Sequence, residues 1–392
     1  MRETRLAVSV WSLLCLGACA AHPSDASLYQ SKLWVAGNIR SAMLASIRTS
    51  WEQGTAAGAI LEFNNPEYSV FGSSPFVSDG NFPFSTLQLA YSAAVRQTPD
   101  GRLSQEIGDA LDGAALDGAS AGSAVLLGSL TDPSRYNYWL DAANAQLNFL
   151  LNVAPRTSTG AISHRVDSRQ YWADGVYMGF PFIAYFGAVT NNATLLQIAY
   201  DQCRLYRDAL ILDGPTGKLW GHIYSDDNKT WIDEGIWGTG NAWAALGMLR
   251  VAVTIQKTEH SSHMASQIAC LTSWIKEILD GEFAALTTDN LVPNYITGGP
   301  SFPDAASSTA LASVAYRVAY IFPQQFGKHY THVAAKIRDT VICNITNLGT
   351  LQPIVDPLPD PFPYWNQTGL LSTEAQAFGL MMLSAWRDWI GA

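Results

Sequence analysis

Gly240-Asn-Ala-Trp-Ala-Ala-Leu-Gly-Met-Leu-Arg-Val251 reads as a helix with no wet face. Its side chains are small or apolar nearly all the way round, and a helix of that kind has to be buried. Five more stretches share its character: a polar or aromatic opening, then a run rich in Gly, Ala and Ser. They begin near Trp51 (WEQGTAAGAILEF), Asp117 (DGASAGSAVLLGSL), Asp174 (DGVYMGFPFIAYFG), Ser307 (SSTALASVAYRVA) and Thr373 (TEAQAFGLMMLSAWRDW). In chain order the six starts, Trp51, Asp117, Asp174, Gly240, Ser307 and Thr373, are spaced by 66, 57, 66, 67 and 66 residues. Spacing this even marks a repeated supersecondary unit, longer than the short solenoid repeats.

Between the buried runs lie amphipathic patterns at Ser27–Ile47, Thr86–Arg96, Tyr136–Leu151, Thr194–Leu210, Ser262–Leu279 and Tyr330–Ile345. Leu195, Ile198, Ala199, Cys203 and Tyr206 show their helical period, with one apolar and one wet face. Six buried helices alternating with six half-exposed ones predict an all-α fold, an (α/α)6 barrel of six helical hairpins. Strand patterns are few; Ala161–His164 and Leu219–Tyr224 are expected to form short ribbons at the rim. In such a ring the inner helices point one way, and their N-termini bring unpaired N–H groups and positive dipole ends to one mouth. Asp117, Asp174, Asn241, Thr309 and Glu374 lie at or near these starts and are expected to meet in space. Each is also a good helix cap by itself; it is the joint occurrence among aromatics that points to a site.

The 392 residues carry 48% hydrophobic but only 14% charged side chains, which excludes disorder as the main state. Lys+Arg 23 against Asp+Glu 33 gives a net charge of -10, so no basic surface for a phosphate backbone is expected, and nucleic acid is set aside as a partner. Trp 13, Tyr 16 and Phe 15 supply flat apolar faces on which sugar rings stack. At the N-terminus, Arg2 and Arg5 precede an apolar run from Leu6 to Ala20, too short to span a bilayer and ending in the small residues Ala18-Cys19-Ala20. Residues 1–20 read as a signal peptide, and 21–392 as a single catalytic domain of a secreted chain. Leu16-Gly17-Ala18-Cys19 can also be read as a lipoprotein box. Sequons at Asn192, Asn228, Asn344 and Asn366 favour a secreted glycoprotein. The mature chain keeps Cys203, Cys270 and Cys343, an odd set that leaves at least one thiol free, with the rest acting as one bridge or as small buried hydrophobes. No Cys/His spacing forms a metal motif, and no P-loop or GxGxxG stands in a suitable context, so no metal and no nucleotide cofactor are expected.

The chemistry concentrates in Gln170-Tyr-Trp-Ala-Asp-Gly-Val-Tyr-Met-Gly-Phe-Pro-Phe182. Asp174, flanked by Trp172, Tyr177, Met178 and Phe180, is expected to lose water, which favours its protonated form and suits a proton donor or shuttle. Asp117 begins the preceding inner helix, and adjacent helices lie roughly 8–10 Å apart, so the two carboxyls can share a substrate. His164 and His222 lie on segments leading to inner helices and are placed at the rim. Trp51, Trp172, Met178, Trp237, Asn241 and Trp243 complete the candidate sugar-binding set.

Taken in order, Leu116-Asp-Gly-Ala, His164, Tyr171-Trp-Ala-Asp-Gly-Val-Tyr-Met-Gly-Phe-Pro-Phe182, Leu219-Trp-Gly-His222 and Trp237-Gly-Thr-Gly-Asn-Ala-Trp243 resemble the unsaturated glycuronyl and rhamnogalacturonyl hydrolases of glycoside hydrolase families 105 and 88, the six-hairpin glycosidases. The resemblance covers nearly the whole mature chain, and Ser372-Thr-Glu-Ala-Gln-Ala-Phe378 with Trp386-Arg-Asp-Trp389 looks like secreted fungal members. It implies hydrolysis of lyase-generated oligosaccharides, releasing a 4,5-unsaturated uronic acid from the non-reducing end by hydration of the C4=C5 double bond, without metal or cofactor; a monomer whose partner is the oligosaccharide is expected. It further implies Asp174 as general acid/base, Asp117 as the second carboxylate, and His222, His164 and Trp243 in substrate binding. One departure stands out: Thr239-Gly-Asn-Ala242-Trp replaces the family's usual Arg-Gly-Asn-Gly-Trp, removing a fixed cation and adding a methyl group. Carboxylate recognition then falls to Arg165, Arg169 or a histidine, or the substrate differs. The alternatives are another six-hairpin enzyme, an ordinary glycosidase or a polysaccharide lyase, and a sugar-binding relative without turnover.

Overall fold

The computed structural model describes residues 23–77, 80–104, 113–299, 301–355, 357 and 371–392. The signal-peptide reading of residues 1–20 and the sequon at Asn366 lie outside them. Six helices form an inner ring: α3 (Ser50–Asn64), α5 (Gly122–Thr131) with the 3-10 turn Asp117–Ala121 before it, α7 (Gly175–Met178) running into α8 (Phe180–Val189), α10 (Gly238–Gln256), α12 (Ala305–Ile321) and α14 (Thr373–Ile390). Neighbours pack in that order, and α14 returns against α3 to close the ring. Outside lie α2 (Leu33–Ala45), α4 (Phe84–Val95), α6 (Tyr136–Asn148), α9 (Ala193–Leu210), α11 (Ala265–Ala284) and α13 (Lys328–Asn344), with α1 (Pro23–Ser31) leading in. The six hairpins are α3/α4, α5/α6, α8/α9, α10/α11, α12/α13 and α14/α2, the last joining the two ends of the chain. The all-α (α/α)6 barrel is therefore as the repeat spacing predicts.

Small residues explain how the inner helices fit. Every residue of α10 from Gly238 to Ile255 is buried. A Cβ on Gly247 would sit 2.3 Å from the Val176 carbonyl oxygen, so only glycine lets α10 cross α7 this closely. The continuous pattern Ser27–Ile47 is two helices, broken at Lys32, where Val35 N–H turns back to the Lys32 carbonyl in a tighter turn.

Short ribbons decorate the mouth. β1 (Gln170–Trp172), β4 (Ile223–Ser225) and β5 (Thr230–Asp233) form an antiparallel sheet in the order β1-β4-β5. β2 (Ile211–Gly214) pairs with β3 (Gly217–Trp220), β6 (Ile236–Trp237) with β8 (Tyr295–Thr297), and β7 (Val292–Pro293) with β9 (Pro303–Asp304). Leu219–Tyr224 is split between β3 and β4, with His222 at the join. Ala161–His164 is not a strand; Ile162 makes one isolated bridge with Arg156, and the His164 carbonyl accepts from Ala115 N–H.

The other end of the ring is stoppered. The segment after α3 folds over it, and Phe71 receives the guanidinium groups of Arg317 at 4.5 Å and Arg250 at 5.3 Å. Beneath them Glu62 takes Arg250 on one oxygen and Arg317 on the other, the latter at 3.2 Å, and Arg317 also reaches Asp388. Glu62, Arg250 and Arg317 are all buried.

Cys203 is buried, Cys270 half-buried and Cys343 exposed, and all three are free. Burial pushes the Cys203 thiol well above its ordinary value, as suits a small core hydrophobe. Asn192, Asn228 and Asn344 are exposed. Among the described residues no helix is long and apolar enough to cross a membrane.

Candidate active site

The inner N-termini do converge, and they bring carboxyl groups with them. Asp174 stands at the N-cap position of α7, its side chain 15% exposed and not spent on capping. Asp117 opens the preceding turn and is buried. Glu52 sits in the first turn of α3, Asp304 at the N-cap of α12 and Glu374 in the first turn of α14. Of the five positions expected at the mouth, Thr309 does not serve: α12 begins four residues earlier, and the Thr309 hydroxyl is spent on the carbonyls of Ala305 and Ala306. Asp304 caps that helix instead, accepting Ser307 N–H at 2.7 Å.

Two histidines frame Asp174, and their environments set opposite charge states. His164 is buried, stacks on Trp172 with ring centroids 4.6 Å apart, and has Nε2 3.5 Å from Asp117 Oδ1. Burial drives its proton off, to a pKa of about 3, although the nearby charge of Asp174 opposes this. It is a neutral ring at physiological pH, so its contact with Asp117 is not an ion pair. His222 is as deeply buried, and desolvation alone would act the same way. The carboxylates of Asp174 and Asp233 outweigh it and raise its pKa to about 9. His222 Nε2 lies 3.4 Å from Asp174 Oδ2, and Nδ1 lies 2.9 Å from Asp233 Oδ2. Asp174 was expected among hydrocarbon and rings; it instead faces an imidazolium and keeps an edge in solvent.

Glu374 is the complementary case. Burial, reinforced by the charges of Asp174, Glu52 and Asp304, holds its carboxyl well above the usual range, against a hydrogen bond from Trp51. Glu52, despite both backbone and guanidinium bonds from Arg48, is also pushed up by burial.

The remaining candidates divide by depth. Trp172 and Trp51 are half-buried and line the mouth; Trp172 donates its indole N–H to Gln170 Oε1 at 2.6 Å. Met178 borders, with Tyr177, Ser120 and Ser123, a cavity of about 70 Å³ inside the ring. Trp237, Asn241 and Trp243 belong to the wall behind the site rather than its surface. Trp237 packs on His222 at 4.5 Å and donates to Asn294 at 3.0 Å. Asn241 has its amide committed to backbone: Oδ1 accepts from Trp220 N–H, and Nδ2 donates to the carbonyls of Trp220 and Trp237. Trp243 is wedged between Tyr177 and Phe378, centroids 4.6 and 4.5 Å away.

Thr239, the departure noted in the sequence, donates to Asp304 Oδ2 at 3.3 Å. Arg165 and Arg169 carry their guanidinium groups to Asp167 and Asp227 on the rim. His222 is the positive group that faces Asp174. Among the described residues no cluster of His, Cys, Asp and Glu could hold a metal ion. Asp233, Tyr295 and Asp304 were not singled out from sequence. Asp233 reaches His222 because β4 and β5 form a hairpin, and the turn Asp226-Asp-Asn-Lys229 between two β-rich runs is the signal that would have found it.

The chain is 27% identical to the unsaturated rhamnogalacturonyl hydrolase YesR of Bacillus subtilis over 166 residues, 41% of this chain and 47% of that protein. It thus spans about half the length of that curated relative. Among solved structures it is similar to a possible member of the GH105 family from Salmonella enterica, with a TM-score of 0.72 at 14% identity over 92% of this chain and 95% of that one. The unsaturated glucuronyl hydrolase of Bacillus sp. GL1 superposes with a TM-score of 0.58 at 13% identity, covering 91% and 96%. These two likenesses show a shared fold. Residues 95–295, just over half of the chain and including Asp117, His164, Asp174, His222 and Asp233, match the family model directly, and the chain belongs to Glycosyl Hydrolase Family 88.

Proposed function

We propose that this protein is a glycoside hydrolase that removes a 4,5-unsaturated uronic acid from the non-reducing end of oligosaccharides left by a polysaccharide lyase. The observation that carries the reading is Asp174: one carboxyl, partly solvent-exposed in a ring of otherwise buried acids, held against a protonated histidine and flanked by tryptophan. That is the equipment for delivering one proton to a sugar stacked at the mouth.

In this reading Asp174 gives its proton to C4 of the double bond, and positive charge develops at C5 and the ring oxygen. A water oxygen bonds to C5, its proton returning to the Asp174 carboxylate, while Asp117 orients the water or sugar. The hemiketal then opens by breaking the C5–ring-oxygen bond. C1 is left with a hydroxyl and the aglycone oxygen, and it releases the aglycone as an alcohol. The name of the YesR relative supports the substrate class. The reading includes export of the chain, with residues 1–20 removed, and action outside the cell.

Incubation with lyase-generated disaccharides should bleach the absorbance of the conjugated double bond. Asp174→Asn should lower that rate by about 10²–10⁴-fold, the range for losing a general acid–base group. No bleaching across several unsaturated uronides by the unaltered protein would reject the reading.

A further inference from the structure

His222 has a carboxylate beside each ring nitrogen: Asp233 is hydrogen-bonded to Nδ1 at 2.9 Å, and Asp174 stands in ion-pair contact with Nε2 at 3.4 Å. Two flanking carboxylates favour the imidazolium. Asp233 is itself pinned. The oxygen that takes His222 also accepts the Tyr295 hydroxyl at 2.7 Å, and its other oxygen accepts Gly235 N–H at 2.8 Å. Burial works to raise its pKa, but His222, Tyr295 and Gly235 prevail and hold it below the ordinary carboxylate range. Tyr295 is fixed in turn by the β6–β8 ribbon, opposite Trp237, whose ring packs on His222. With three donors on Asp233 favouring its ionised form, the Nδ1 proton stays on the imidazole, and Nε2 is the nitrogen that faces Asp174.

The other titratable groups nearby leave that path open. His164 is uncharged, and Asp117 lies against it, 3.5 Å from its Nε2. Glu374, approaching from α14, has its protonated form favoured by burial and by the charge of Asp174. Trp172 and Trp237 wall the imidazole in, with centroids at 6.1 and 4.5 Å.

We propose that Asp174, His222 and Asp233 form one proton-storing unit, in which Asp233 and Tyr295 are positioning residues and the proton given to substrate is stored on His222. Its use at C4 rests on the hydration reading; the storage itself does not. Nε2–H passes its proton to Asp174 Oδ2, leaving a neutral imidazole with Nδ1–H still on Asp233. Protonated Asp174 gives that proton to C4. The proton lost by the attacking water returns through Asp174 to Nε2, so the unit ends as it began.

The test has two arms, on Asp233→Asn and the milder Tyr295→Phe. In the first, ¹⁵N NMR follows His222 in the free protein. The titration, near pH 9 in the unaltered chain, should move down by about one unit or more in Asp233→Asn and less in Tyr295→Phe. In the second, the pH profile of kcat is measured on an unsaturated uronide. The alkaline limb should move the same way, and kcat at neutral pH should fall about 10–100-fold, as for a lost orienting partner, with KM little changed. A merely structural role would lower Tm and scale activity evenly without moving the limb. Unshifted His222 titration in both variants overturns the proposal, whatever the protein does to uronides. A protein inert on uronides, with His222 shifting as stated, overturns the hydration reading alone.

Discussion

A histidine sealed from water ordinarily surrenders its proton, and His164 does. His222 keeps one because two carboxylates face it, and this difference between neighbours sets a pH dependence of folding. Its pKa of about 9 exceeds the ordinary 6.5, so its contribution is fully present below pH 6.5 and is lost as pH rises to 9. Glu282 adds to the trend. It is wholly buried on α11, neither carboxyl oxygen has a hydrogen-bond partner, and burial raises its pKa from 4.5 to about 8. The folded chain must then hold a proton that the unfolded chain releases, and stability falls as pH climbs through that interval. Urea unfolding at several pH values should show stability nearly level from about pH 5 to pH 6.5, where the neutral His164 offsets Glu282, and declining from there to pH 9, each group contributing a slope of about 1.4 kcal/mol per pH unit within its window. Glu282→Leu should lessen the slope between pH 6.5 and pH 8 and leave the part due to His222. At this scale Asp174, Asp117 and both histidines were legible, because each opens or precedes a small-residue helix. Asp233 and Tyr295 were not, since hairpins rather than sequence proximity bring them to His222.

Among the elements, α10 and α7 decide how rigidly Asp174 is held. Their backbones touch at Gly247, over Val176, two residues beyond Asp174. Gly247→Ala should force α7 outward, because the added methyl meets a carbonyl rather than a yielding side chain. The expected cost is about 1–3 kcal/mol, typical of overpacking, read as a lower Tm; turnover should fall by more than the unfolded fraction explains as Asp174 shifts. The six inner helices were visible in their small residues, and helical periodicity found their outer partners. Their exact starts were not. The Ser/Thr run of α12 drew attention to Thr309, yet the cap is Asp304, set by β9 and the residues around Val355. Ribbon lengths of two to four residues are too short for an alternating pattern to declare itself, which is why Ala161–His164 was over-read and β5 missed.

For the molecule as a whole, ring closure depends on helices from both ends of the chain: α14 packs on α2 and α3. The stopper of Glu62, Arg250, Arg317 and Phe71 ties α3, α10 and α12 together at the end opposite Asp174. Glu62→Ala would leave the buried Arg250 without its carboxylate and Arg317 with Asp388 alone, a loss of about 3–5 kcal/mol by the usual cost of breaking such a set. Chemical denaturation should show it, with the His222 titration unmoved because that unit is remote. The ring itself could be read from the repeat spacing, whereas the stopper could not, because ion pairs between residues some 190 and 255 positions apart leave no local pattern. With one end stoppered, the described residues leave the mouth beside Asp174 as the doorway. A spent sugar must back out along the route by which the next chain end arrives, so leftover product and fresh substrate contend for the same berth, and slow departure would show as competitive inhibition by the released monosaccharide.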